Sequence, residues 1–151
     1  ECFVEDTLAI LKEYDFPASQ LWIEITERCR DLPISMIKKT VTAFREAGIH
    51  ITMDDYGTGS SSSQMMLELP VEGVKIDMFF VKDILEEKKK QALVIGMINF
   101  ANAADLKICI EGIENDSLES YLRQFDVTCF QGYHYSRSIC QDELMKLLIK
   151  P

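Results

Sequence analysis

Apolar residues recur at helical spacing from Val4 to Tyr14, and Asp15-Phe16-Pro17 ends that stretch because a proline disfavours helical geometry in the residue before it. The run Leu21-Trp22-Ile23-Glu24-Ile25-Thr26 is rich in β-branched and aromatic residues and predicts a strand. Helical spacing returns over Ser35 to Ala47, with Gly48 as its C-cap. The order then repeats: a strand at Ile49 to Met53, a loop and helix around Ser60 to Leu69, a strand at Val71 to Ile76, and a long helical segment from Val81 to Ala104. A strand at Leu106 to Ile110, a helix at Ser117 to Phe125, a strand at Val127 to Phe130 and a helix from about Gln141 to Ile149 complete the pattern. About five short apolar strands alternating with helices predict a parallel α/β fold, since parallel neighbours need helical crossovers. An open doubly wound sheet is the competing arrangement.

Polar residues gather at one end of these strands. Glu24 lies near the end of the first, Asp54 and Asp55 follow the second, Lys75 and Asp77 end the third, Glu111 follows the fourth and Gln131 the fifth. In a parallel α/β barrel those ends meet on one face, where such proteins carry their sites. A single carboxylate at a strand end reads better as a helix cap or a solvated loop residue. The recurrent set reads better as a metal site, because clustered carboxylates repel unless cations sit between them, and oxygen ligands favour magnesium or manganese. Lys75 interrupts an apolar strand and demands a charged partner there, either a catalytic one or a structural salt bridge. Gly57-Thr58-Gly59 lacks the lysine and the spacing of a P-loop. His50 and His134 show no metal-pair spacing and read as structural or exposed; Met65, Met66, Phe79, Phe80 and Trp22 read as core.

Composition narrows the partners. The chain has 151 residues, enough for one domain, with 47% apolar and 27% charged residues. A formal net charge of -9 repels nucleic acid polymers and anionic lipid at long range, so a phosphate-bearing substrate needs local cations. No apolar run reaches membrane-spanning length, and the first residues lack a signal-peptide pattern, so a cytoplasmic location is expected. The five cysteines are scattered without CxxC spacing and read as reduced thiols, Cys109 and Cys129 within strands. Glu86-Glu87-Lys88-Lys89-Lys90 reads as a solvated helix face or helix start.

Several motifs carry a family resemblance. Ile23-Glu24-Ile25-Thr26-Glu27 is similar to an ExTE segment, Met53-Asp54-Asp55-Tyr56-Gly57-Thr58-Gly59 to a DDFGTG loop with Tyr for Phe, and Val74-Lys75-Ile76-Asp77 to an LKID strand. Ile110-Glu111-Gly112-Ile113-Glu114 is similar to AEGVE, and Gln131-Gly132-Tyr133 supplies QGY. In order and spacing this resembles the EAL-domain phosphodiesterases, which hydrolyse the bacterial second messenger cyclic di-GMP to linear pGpG. The resemblance implies a TIM-like β/α barrel binding two divalent cations, magnesium or manganese. It implies Glu24, Asp54 and Asp55 as metal ligands with Asp54 bridging. Lys75 and Glu111 become the catalytic pair, with Glu111 as base or metal ligand, and Gln131 positions water. Glu27 would anchor the Asp54-Asp55 loop, with Asp77 and Glu114 in support.

The departures set further expectations. The Glu-Ala-Leu motif and a following asparagine belong upstream of residue 1, and a full barrel needs about 250 residues, so residues 1–151 correspond to the C-terminal portion of the domain. Met78 and Phe79 stand where an Arg-Ser pair is common, and Ser60 and Ser63 replace Tyr and Leu, which touches substrate contacts more than metal ligands. By itself this stretch is expected to be inactive, with open strand edges compensated by self-association, strand exchange or disorder near the first helix. A homo-oligomer is expected, with an attached GGDEF or sensory domain, as the cytosolic part of a larger and even membrane-anchored protein. The alternatives are a non-catalytic module for cyclic di-GMP binding or dimerisation, and an unrelated divalent-metal α/β hydrolase.

Overall fold

The computed structural model describes residues 2–26, 32–58 and 62–149. Helix α1 (Cys2–Glu13) leads through a short 3-10 turn to strand β1 (Trp22–Thr26), then α2 (Ile34–Glu46), β2 (His50–Tyr56), α3 (Ser62–Glu68) and β3 (Gly73–Ile76). Helices α4 (Met78–Val81) and α5 (Lys88–Ala103), strand β4 (Lys107–Ile110), α6 (Asp116–Leu122), β5 (Cys129–Phe130) and α7 (Gln141–Leu148) complete the order.

The five strands form one parallel sheet in the order β1-β2-β3-β4-β5. Each crossover therefore moves one place in the same direction, and right-handed crossovers of that kind put their helices on one face. A doubly wound sheet reverses its order at a switch point, so that arrangement is excluded. The helix side of the sheet carries Ile51 and Met53, Val74 and Ile76, and Ile108 and Ile110, all fully or almost fully buried. They form the core with Val94, Met97 and Ile98 of α5 and Val41 and Phe44 of α2. Because strand side chains alternate, the intervening positions Glu24, Thr52, Asp54, Lys75 and Cys109 face the opposite side.

Local chemistry explains the boundaries. After α2, Gly48 takes φ +85°, Ile49 N–H donates to Phe44 C=O and Gly48 N–H to Arg45 C=O, the paired bonds of a Schellman cap. The long helix expected over Val81 to Ala104 is instead divided. Asp77 starts α4 by accepting from Phe79 N–H at 2.7 Å, and Asp83 at φ +60° breaks the helix before α5 begins at Lys88. That start falls inside the charge run, where Lys90 donates to Lys82 C=O.

Strand β2 extends through Tyr56, so Asp54 and Asp55 lie within it rather than after it. Met65 and Phe80 are buried as expected, but Phe79 is 66% exposed and Trp22 38%. Trp22 faces away from the helices and stacks on His50 at 4.4 Å, because the alternation of β1 gives Ile23 and Ile25 the core side. Among the described residues, no helix is long and apolar enough to cross a membrane.

Candidate active site

Four side chains from four strands converge on the face away from the helices. The Lys75 ammonium lies 2.6 Å from Glu111 Oε1, 2.8 Å from Glu24 Oε1 and 3.2 Å from Asp54 Oδ1. Lys75 enters this position because β3 is buried along its whole length and only its odd positions face away from Val74 and Ile76. Its side chain is 9% exposed, while those of Asp54 and Glu111 are 20% and 19% exposed. Burial by itself would lower the lysine pKa, but the hydrogen bonds and charges of Glu111 and Glu24 outweigh it and hold the group above its ordinary value. The ammonium is thus a fixed cation among three carboxylates.

The segment carrying Asp54 is irregular for a reason. Thr26 pairs in register with Asp54, but the pairing of β2 with β3 slips between Met53 and Tyr56, and Asp55 adopts φ +55°. A bulge of this type breaks strict alternation and re-aims side chains, and an aspartate tolerates the left-handed geometry better than most residues. Thr58 closes the turn by donating its N–H and hydroxyl to Asp55 C=O.

Beyond β4, Glu111 N–H donates to Ile76 C=O, and Gly112 follows at φ +75°. A Cβ at Gly112 would lie 2.5 Å from Met78 Cβ, so only glycine lets the Glu111 segment pass α4. Gln131 is held beside this segment: its N–H donates to Ile110 C=O and its C=O accepts from Ile113 N–H.

The arrangement fits a divalent cation. Asp54 Oδ1 is buried yet accepts no hydrogen bond, the Lys75 ammonium meeting it only as a nearby charge. A buried carboxylate oxygen without a donor is costly unless a cation completes its shell, and an all-oxygen donor set of Asp and Glu suits magnesium or manganese.

Other expected site residues take different places. Asp77 is occupied in capping α4. Glu114 is exposed and lines a cleft of about 240 Å³ with Met78, Lys82 and Gly112. Glu27 lies outside the described residues, as do Gly59 and Ser60. Both histidines, read as structural or exposed, are half-buried and paired with acids. His50 Nδ1 lies 2.5 Å from Glu72, which also pairs with Arg45, and His134 Nε2 lies 3.1 Å from Glu119 and 3.5 Å from Asp116. Asp116, Glu119 and His134 form a compact group on α6 and the segment after β5, where Glu119 is already engaged by Arg123. Thr52, which the sequence pattern does not mark, is a buried hydroxyl beside Gly73, and Cys109 and Cys129, expected within strands, are registered partners. Burial first, then the neighbouring Cys129, pushes the Cys109 thiol up to about 12. The apolar alternation of β4 was the available signal for Cys109.

A singly wound parallel sheet with charged residues gathered at its strand ends is the arrangement of β/α-barrel proteins. The family model of the EAL domain matches residues 1–138, and the chain belongs to that family. It is 34% identical over 143 residues to the protein sll1895 of Synechocystis, covering 93% of this chain and 20% of that protein. It is 27% identical over 128 residues to the cyclic di-GMP phosphodiesterase PdeR of Escherichia coli, covering 85% of this chain and 19% of the relative. The crystal structure of the EAL domain of Mycobacterium smegmatis DcpA superposes with a TM-score of 0.91 at 31% identity, over 97% of this chain and 66% of that one. The chain thus spans about a fifth of the length of the two curated relatives.

Proposed function

We propose that the chain forms part of a cyclic di-GMP phosphodiesterase domain that opens the cyclic dinucleotide to linear pGpG. The observation that carries this reading is the Lys75 ammonium held within 3.2 Å of carboxylates from three other strand segments, in a member of the EAL family. A relative carrying the name cyclic di-GMP phosphodiesterase supports the substrate class.

Glu24, Asp54 and Asp55 would hold the divalent cations, magnesium or manganese, whose chemistry when bound is to neutralise the phosphodiester and acidify water. Asp54 would offer them its undonated buried oxygen. The Lys75 cation stays protonated through the neutral range and offers fixed positive charge to a developing phosphorane oxygen. Glu111 accepts a proton at Oε1, the oxygen that Lys75 already orients at 2.6 Å. Gln131, tied by its backbone to Ile110 and Ile113, positions the attacking water beside Glu111. The test is a mass-spectrometric assay for pGpG with magnesium or manganese, using the complete domain, beside a titration of cyclic di-GMP. Metal-dependent pGpG formation is expected; tight binding without turnover would make the domain a cyclic di-GMP receptor instead.

A further inference from the structure

Asp116, Glu119 and His134 take no part in the chemistry proposed around Lys75. Asp116 and Glu119 stand three residues apart on α6, so their side chains share one face. That helix buries Leu118 and Leu122 in the core with Ile110 and Ile113, so it belongs to the outer helical layer and not to the sheet face that carries Lys75. Neither acid is spent on capping, because Asn115 already caps α6 by accepting from Leu118 N–H at 2.9 Å.

His134 is brought to the two acids by its backbone. Gly132 passes so close to Ile113 that a Cβ there would lie 2.1 Å from the Ile113 carbonyl oxygen, and His134 N–H donates to that same carbonyl. The half-buried imidazole then places Nε2 3.1 Å from Glu119 Oε2 and 3.5 Å from Asp116 Oδ1. Arg123 holds the other carboxylate oxygen, Glu119 Oε1, and with Tyr135 keeps the carboxyl below its ordinary value, so a charged Oε2 is turned to the histidine. The ligand atoms of the three residues all lie within 4.8 Å of one another. Zinc bonds nitrogen and oxygen at about 2.0–2.2 Å, and two such ligands at a tetrahedral angle lie about 3.3–3.6 Å apart. The two Nε2 contacts match that separation, and Asp116, with a side chain 94% exposed, can rotate to close the third edge.

We propose that Asp116, Glu119 and His134 form a site for a zinc-class divalent ion, apart from the carboxylates around Lys75, that joins α6 to the segment following Gln131. The ion takes the Nε2 lone pair in place of a proton and one oxygen from each acid, and water completes the tetrahedron. One imidazole nitrogen with two carboxylate oxygens suits zinc, whereas the all-oxygen set at Asp54 suits magnesium or manganese. Because His134 lies three residues beyond Gln131, the bound ion fastens the Gln131 segment to the outer helical layer.

The test titrates zinc chloride into the full chain and follows the imidazole nitrogens by NMR. The chain has two histidines, so His50 serves as the internal control. A saturable shift of His134 Nε2 with His50 unmoved is the expected result, and zinc taken up by exposed cysteines leaves that nucleus unaffected. The shift should persist in Asp54→Asn, which removes a carboxylate beside Lys75, and magnesium at the same concentration should not produce it. Asp116→Asn and Glu119→Gln should each raise the zinc concentration at half-saturation at least about tenfold. No shift at millimolar zinc, an equal shift at both histidines, an equal response to magnesium, loss of the shift in Asp54→Asn, or an unchanged half-saturation in either carboxylate variant would overturn the proposal. None of these readouts depends on phosphodiesterase activity.

Discussion

Lys75 Nζ lies 2.6 Å from Glu111 Oε1, although the two residues come from successive strands separated by the whole of α4 and α5. That contact gives the lysine a structural role beside the one proposed for it. Lys75→Ala leaves Glu24, Asp54 and Glu111 facing one another without a cation, and truncating one partner of such a group costs about 2–4 kcal/mol. Magnesium should restore more of the melting temperature in this variant than in the parent chain. Equal magnesium responses would show that the carboxylates do not share a cation.

Glu111→Gln keeps the shape of the side chain and removes its proton acceptor. In the complete domain, turnover is expected to fall about 10²–10⁴-fold with little change in cyclic di-GMP affinity. Steady-state kinetics paired with calorimetric titration checks this, and an unchanged turnover number would remove Glu111 from the proton-transfer role.

Asp54→Asn tests the undonated oxygen. Asp54 Oδ1 takes no hydrogen bond, so its loss should leave the metal-free chain within about 1 kcal/mol of the parent in denaturant unfolding. Divalent-metal affinity should fall at least tenfold. A large stability loss with unaltered metal binding would assign Asp54 a purely structural role.

Gly112→Ala places a methyl group against Met78 in a left-handed backbone position. Strain and overpacking together should cost about 2–4 kcal/mol. Thermal unfolding measures it, and Gly48→Ala, where open space surrounds the position, should cost less because only the backbone term remains.

Glu72 predicts an acid limb of stability. Its burial favours protonation, but the bonds and charges of His50 and Arg45 prevail and hold the carboxyl below its ordinary value of 4.5. A depressed folded value means stability present above the unfolded pKa and lost as pH falls through the folded one. Glu72→Gln should therefore destabilise the chain at pH 7, by about 1 kcal/mol for a half-exposed network, and the gap should close below about pH 4. A gap that persists at pH 3 would show that packing, not charge, is what the substitution removes.

The alternation of strands and helices, the parallel sheet and the family are all legible in the order of residues. Period-two runs such as Ile49 to Met53 and the strand-end motifs depend on local chemistry that each segment carries within itself. Glu24, Asp54, Lys75 and Glu111 were legible for the same reason, since polar residues at the ends of apolar strands stand out against their neighbours. How they meet is settled by long-range packing. That Lys75 bonds Glu111 and Glu24, that Asp54 keeps a bare oxygen, and that Asp77 caps a helix follow from the register of four strands and from the bulge at Asp54-Asp55. The same holds for the division of the long helix at Asp83, for Trp22 stacked on His50, and for the Cys109 and Cys129 pair. Such pairings join residues distant in the chain, and no local pattern of apolar and polar positions encodes which side chain will face which across a sheet.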